Sequence, residues 1–163
     1  MRDRTVVSDS TPLIALLRIG RLDILKELYG TVIIPKAVRE EVSIKNTRVL
    51  EGYGWIHVKS ISNVTAKEAF TSALHEGEVE VMLLAKEIAA DLIIMDDGLA
   101  RKHAKYLNLN VTGTVGVLLR AKRDGVISEI RPVLDDLIQF GFYISDNVYG
   151  DVLRLAEEMG KSP

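Results

Sequence analysis

Four acidic residues, Asp9, Glu41, Glu78 and Asp96, stand where their surroundings call for apolar side chains or for the end of a buried strand. Asp9 follows the apolar run 5–8, and Asp96 follows the run 92–95. Glu41 and Glu78 fall on the apolar stripes of helical segments. A step of about 100° per residue puts Glu78 on the face of Val81, Met82, Ala85 and Ala89, with Glu80 and Glu87 on an opposite, solvated face. By the same rule Glu41 lies within the apolar arc of Val38 and Val42, and Glu40 lies outside it. Isolated buried carboxylates are costly. Several directed at one region therefore call for a shared cation, and carboxylate oxygens suit a hard divalent ion. Such a centre is equipped to cleave phosphodiesters.

Each acid also has a plainer explanation. Glu78, in the first turn of its helix, answers the positive end of the helix dipole. Glu41 reads equally as a border glutamate with its head in water. Asp9 and one of Asp96 and Asp97 sit at strand-to-helix turns, where aspartate caps helices; Thr11 ahead of Pro12 can cap without Asp9. The choice between Asp96 and Asp97 stays open at this point.

The elements that must position these acids alternate. Short runs rich in valine and isoleucine predict strands at 5–8, 31–34, 92–95 and 110–112, with an edge strand at 55–58. Between them, apolar positions three or four apart predict helices at 12–19, 22–29, 35–44, 76–90, 99–107 and 115–124. Thr65 and Glu68 match a capping box opening a further helix. Strands separated by helices pair in parallel through right-handed crossovers and carry helices on both faces. In such sheets, residues just past the carboxyl ends of strands line the ligand crevice, which is where Asp9 and Asp96 fall. After Gly125 the pattern is helical, with segments at 128–140 and 146–159. The expectation is one domain: a core over about 5–125 and a helical appendage over about 126–160. The stripe Val148, Val152 and Leu155 either closes that core or meets a second copy of the chain, and a homodimer is the expected assembly.

Composition bounds the function. A chain of 163 residues, 47% hydrophobic and 27% charged, is long enough to bury one core without staples. It has no cysteine, which removes disulfides and thiolate chemistry and fits a reducing, cytoplasmic compartment. No apolar run reaches the roughly 20 residues of a membrane span, and residues 1–5 lead straight toward a strand. A net charge of −2 gives no global attraction to nucleic acid, so such binding needs a local basic patch. Arg101, Lys102, His103 and Lys105 follow the Asp96–Asp97 turn and could supply one, although basic helix faces are more often merely solvated. Lys122 and Arg123 fit a helix C-terminus through its dipole. Gly113-Thr114-Val115-Gly116 lacks the lysine of a phosphate-binding loop and reads as a strand-to-helix turn. His57, His75 and His103 have no zinc spacing.

The order of four motifs resembles the PIN-domain nucleases. These are 6–14 (VVSDSTPLI), 34–42 (IPKAVREEV), Gly77-Glu78 opening a helix, and 93–97 (IIMDD). The resemblance covers about 6–125 and is nearest to a prokaryotic branch related to VapC-type toxins. It implies an α/β/α sandwich with a mainly parallel sheet, a cluster of acids binding Mg2+ or Mn2+, and endonucleolytic hydrolysis of RNA. Carried over position by position, the acids are Asp9, Glu41, Glu78 and Asp96, with Asp97 as alternate for the last and the Ser10 hydroxyl beside the first. Arg101 is the first choice for a substrate phosphate. The same resemblance opens the reading of a toxin from a toxin–antitoxin pair, with an antitoxin as protein partner. It also shows a departure, since the helix-opening acid is Glu78 where toxin relatives often carry aspartate. Two other classes compete: a phospho-acceptor receiver domain, and a catalytically weak module that binds nucleic acid or protein.

Overall fold

The computed structural model describes residues 4–44, 49–68 and 74–159. Residues 1–3, read above as the lead into the first strand, and Gly160, at the expected end of the appendage, lie outside them. The strands are β1 (Val6–Ser8), β2 (Val32–Pro35), β3 (Ile56–Lys59), β4 (Leu92–Ile94) and β5 (Val111–Thr112). They form one sheet in the order β3-β2-β1-β4-β5, and every pairing is parallel. The helices are α1 (Ser10–Arg18), α2 (Asp23–Tyr29), α3 (Lys36–Ser43), α4 (Val64–Glu68), α5 (Glu76–Glu87), α6 (Gly98–Tyr106), α7 (Thr114–Arg123), α8 (Arg131–Gln139) and α9 (Asp146–Leu155). The architecture is the expected α/β sandwich.

The central strands read as unbroken apolar runs because both of their faces are covered: Val6, Val7, Ile34 and Ile94 have no exposed surface. Strand order reverses at β1. From there the chain runs outward through β2 to β3, then returns to β4 and β5 on the other side. The crevice outside the carboxyl ends of β1 and β4 is therefore the switch point where such sheets bind ligands. Ser8 pairs with Ile94, and the Asp9 amide donates to the Ile94 carbonyl at 2.9 Å, which fixes the exit of β1 against that of β4.

Several helix ends differ from the sequence reading, each for a local reason. α1 begins at Ser10, two residues before the expected start, because Asp9 and not Thr11 is its N-cap. α4 is capped by Asn63, whose Oδ1 accepts from the Ala66 amide at 3.0 Å, not by Thr65. α8 starts at Arg131, with Pro132 in its first turn, where a missing N–H costs nothing. α9 ends at Leu155; Glu157 takes φ of 60°, and the reversal turns Glu158 inward.

Buried acids outside the crevice also turn out to be end-pieces for helices. Glu80, expected on a solvated face, is buried under α4. Its Oε1 accepts from the Ala37 amide at 3.2 Å, and its Oε2 meets Lys67 Nζ at 2.7 Å. It thereby serves α3, whose N-cap Pro35 offers no side-chain acceptor. Glu158, 3% exposed, accepts from the Ile130 and Arg131 amides at 2.7 and 3.1 Å and from Lys122 Nζ at 2.9 Å. Lys122 thus has a specific partner beyond the helix dipole. α8 packs against α1 and α9 against α7, burying Leu134, Leu137, Val152 and Leu153, but of the expected stripe only Val152 is buried, with Val148 and Leu155 exposed. Among the described residues no helix is long and apolar enough to cross a membrane.

Candidate active site

The four acids arrive at the crevice on four different elements. Asp9 caps α1 just past β1; it is 4% exposed, and its Oδ1 accepts from the Ser10 amide at 2.8 Å. Asp96 follows β4 by two residues, and both its oxygens are held by the first residue of α7. Oδ1 takes the Thr114 amide at 2.8 Å, and Oδ2 takes the Thr114 hydroxyl at 2.6 Å. Glu41, in the second half of α3, is fixed by the buried Ser10 hydroxyl, which donates to Oε2 at 2.6 Å. Glu78 lies in the first turn of α5, where its Oε1 accepts from the His75 amide at 3.0 Å. The helix-end reading of Glu78 is therefore realised, yet it does not take the residue away from the others.

Contacts link the four: Glu41 meets Ser10 beside Asp9 and abuts Gly77 beside Glu78, and the Asp9 amide is bound to β4 two residues before Asp96. Burial pushes the Asp9 carboxyl up from 3.8 to about 7; the Ser10 amide opposes the rise, and the charges of Glu78, Glu41 and Asp96 add to it. All three acids thus act on the first one. Glu78 is also pushed up, chiefly by burial, with repulsion from Asp97 and Glu41 outweighed in part by the His75 amide. Among the described residues no lysine or arginine forms an ion pair with any of the four. Nor do any three acidic or histidine side chains among them stand ready as a metal-ligand set. The donors fit a hard divalent cation in kind and in charge, and a cation would relieve the repulsion felt at Asp9. Binding one requires the carboxylates to be drawn further in.

Both ambiguous positions acquire distinct surroundings. Asp97 is exposed and caps α6, its Oδ1 accepting from the Ala100 amide at 2.9 Å, whereas half-buried Asp96 is clamped by Thr114. Glu41 meets Ser10, while Glu40 is exposed and lines a separate surface cavity with Arg39 and Tyr53. Two glycines leave room for the acids. A Cβ on Gly77 would collide with Glu41 Oε1, and one on Gly113 would stand 2.7 Å from Asp96 Oδ1 and 3.4 Å from Arg101 Nη1. Gly113→Ala is therefore expected to destabilise the fold by about 1–3 kcal/mol, the usual cost of overpacking, because backbone and Thr114 hold Asp96 in place. Urea denaturation checks this, and a cost under half that range would show a pliable clamp.

A family model described as a PIN domain matches residues 5–158. The chain belongs to the PIN-domain family. No curated protein matches it. Among solved structures it is similar to a PilT N-terminus domain protein from the hyperthermophilic archaeon Sulfolobus solfataricus. That likeness has 20% identity and a TM-score of 0.54, and it covers 72% of this chain and 92% of the other. At that identity it speaks for the fold alone.

Thr114, expected only as part of a strand-to-helix turn, is a further member of this PIN-domain crevice. Its signal was present: Gly113-Thr114 directly follows the strand beside β4, at the same carboxyl edge as Asp96. With no exposed surface and two bonds to one carboxylate, Thr114 orients Asp96 as Ser10 orients Glu41. Arg101, half-buried on α6, reaches the same corner beside Gly113. Lys102 and Lys105, by contrast, are exposed on α6.

Proposed function

We propose that this PIN domain is a metal-dependent endoribonuclease that hydrolyses RNA phosphodiester bonds at the acidic crevice. One observation carries the reading: the Ser10 hydroxyl beside buried Asp9 binds Glu41, Gly77 beside Glu78 abuts Glu41, and the Asp9 amide is tied to the end of β4, two residues before Asp96. A fold that needed these acids only as helix ends would not gather them around a fourth.

In this reading Asp9 and Asp96 are the principal ligands of Mg2+ or Mn2+. Glu41 and Glu78 join directly or through water, and Asp97 is the alternate for Asp96. A divalent ion held there supplies a water of lowered pKa and neutralises charge on the leaving oxygen. The chain's own groups do the positioning. Ser10 and Thr114 aim carboxylates that would otherwise splay apart, and Arg101 lies where a phosphate approaching Asp96 meets a guanidinium. Ser10, next to Asp9, also borders the path of the substrate. A toxin role, with an antitoxin protein covering the crevice and a homodimeric assembly, extends the same proposal.

The test is cleavage of a mixed-sequence RNA pool in Mg2+, Mn2+ or EDTA by the wild type and Asp9→Asn. Cleavage should need the metal and fall roughly 100-fold or more in the variant, the effect of losing several kcal/mol of charge stabilisation. Equal cleavage by both proteins sinks the assignment. A second reading, a catalytically weak nucleic-acid-binding module, is favoured by the lack of a ready ligand set among the described residues. The same assay decides it, since that module would bind the pool without cutting it under any metal.

A further inference from the structure

Next to the acidic crevice lies a cavity of about 420 Å3 whose walls include Asp96 itself. α1 contributes Ile14 and Arg18; the turn after α8 contributes Phe140, Phe142 and Tyr143. The volume is within the roughly 300–1,000 Å3 of small-molecule sites. Two of the aromatic rings are not core residues, for Phe140 is 53% and Tyr143 86% exposed. They are nevertheless held on a firm support. α8 is anchored by buried Leu134 and Leu137 and packs against α1. Its end is closed by the Phe142 amide donating to the Leu137 carbonyl at 2.9 Å and the Gly141 amide to Ile138 at 3.1 Å. Gly141, at φ of 98°, makes that reversal without strain.

We propose that this cavity is a stacking subsite for one unpaired base of single-stranded RNA, next to the phosphate bound at the acids. The proposal rests on the nuclease reading and adds which part of the substrate is gripped and where. Exposed rings beside an arginine are the chemistry that holds splayed bases: the rings offer stacking faces, and the guanidinium meets phosphate or stacks in turn. The shared Asp96 wall makes the cavity continuous with the reacting centre, so a strand whose phosphate lies at Asp96 delivers a neighbouring nucleotide here. Arg18 also supplies local positive charge on a chain whose net charge is −2. Paired RNA keeps its bases stacked on one another and cannot use the rings, so the subsite selects single strands.

Tyr143→Ala combined with Phe140→Ala tests this, with Tyr143→Trp as the variant that keeps a stacking face. The first readout is fluorescence of 2-aminopurine in a single-stranded oligoribonucleotide, followed with EDTA and with Mn2+; the second is KM and kcat for cleavage. We expect quenching by the wild type and by Tyr143→Trp, and roughly tenfold weaker binding by the double variant. That difference should vanish on an oligonucleotide abasic at the gripped position, and kcat should hardly move. Unchanged affinity of the double variant overturns the subsite, even if cleavage is intact. Unchanged affinity with conversion of a dimer to a monomer also overturns it and makes the face a contact between copies. Aromatic-dependent quenching without any cleavage by the wild type supports the stacking site and overturns the nuclease reading instead.

Discussion

Asp9→Asn is expected to make the metal-free protein more stable at pH 8, even as it removes the proposed activity. Asparagine keeps an oxygen for the Ser10 amide but carries no charge into a buried site where the charges of Glu78, Glu41 and Asp96 already oppose one. The sign follows from where the proton sits. The folded state holds the Asp9 proton up to about pH 7, whereas the unfolded chain releases it near 3.8. Between those values the folded state binds more protons, so wild-type stability falls as pH rises through the window and stays low above it. A shift from 3.8 to about 7 corresponds to about 4 kcal/mol at ~1.4 kcal/mol per unit. Urea denaturation in EDTA from pH 4 to pH 8 should show the two proteins alike at the acid end and diverging with pH. Mn2+ should narrow the gap, since only the wild type offers it the full charge. A variant no more stable than wild type at pH 8 would mean that the carboxyl carries no such penalty.

Glu158→Ala is expected to act in the opposite direction, costing about 3 kcal/mol. Its loss strands two amides at the start of α8 and leaves Lys122 unpaired. The cost is at the low end for a broken buried pair because Lys122 keeps part of its side chain in water. Burial alone would raise the Glu158 carboxyl, but the Ile130 amide, the Lys122 ammonium and the Arg131 amide together hold it below the usual range. A lowered folded value contributes stability above 4.5 that is lost as pH falls through it. The difference between variant and wild type should therefore shrink toward strongly acid pH. Thermal melts at pH 7 and pH 3 measure it, and a pH-independent cost would assign the loss to packing alone.

Period and residue type made most of this fold legible, because β1, β2 and β4 are apolar on both faces and the helices between them carry clear stripes. The acids at strand ends were legible for the same reason: a sheet this short places the residue after β1 beside those after β4. What the sequence hid was pairing across elements. Glu80 looked solvated on its own helical wheel because a wheel knows nothing of α4 or of the unsatisfied Ala37 amide. Thr114 looked like a turn residue because its work is on a carboxylate 18 positions away. Asp96 and Asp97 look alike as neighbours in one turn, and only the fold shows Asp97 capping α6 while Thr114 holds Asp96. Glu80 and Thr114 were missed because their hydrogen bonds join distant positions, which periodicity does not encode.

The place of β1 in the middle of the sheet also governs when the centre can exist. β1 leaves the ribosome first, yet one flanking strand follows only at 32–35 and the other only at 92–94, with Asp96 and its clamp Thr114 later still. A nascent chain shorter than that carries Asp9, Glu41 and Glu78 without the strand that brings the last acid to them. The proposed centre can thus be assembled only after the chain has been made through Thr114.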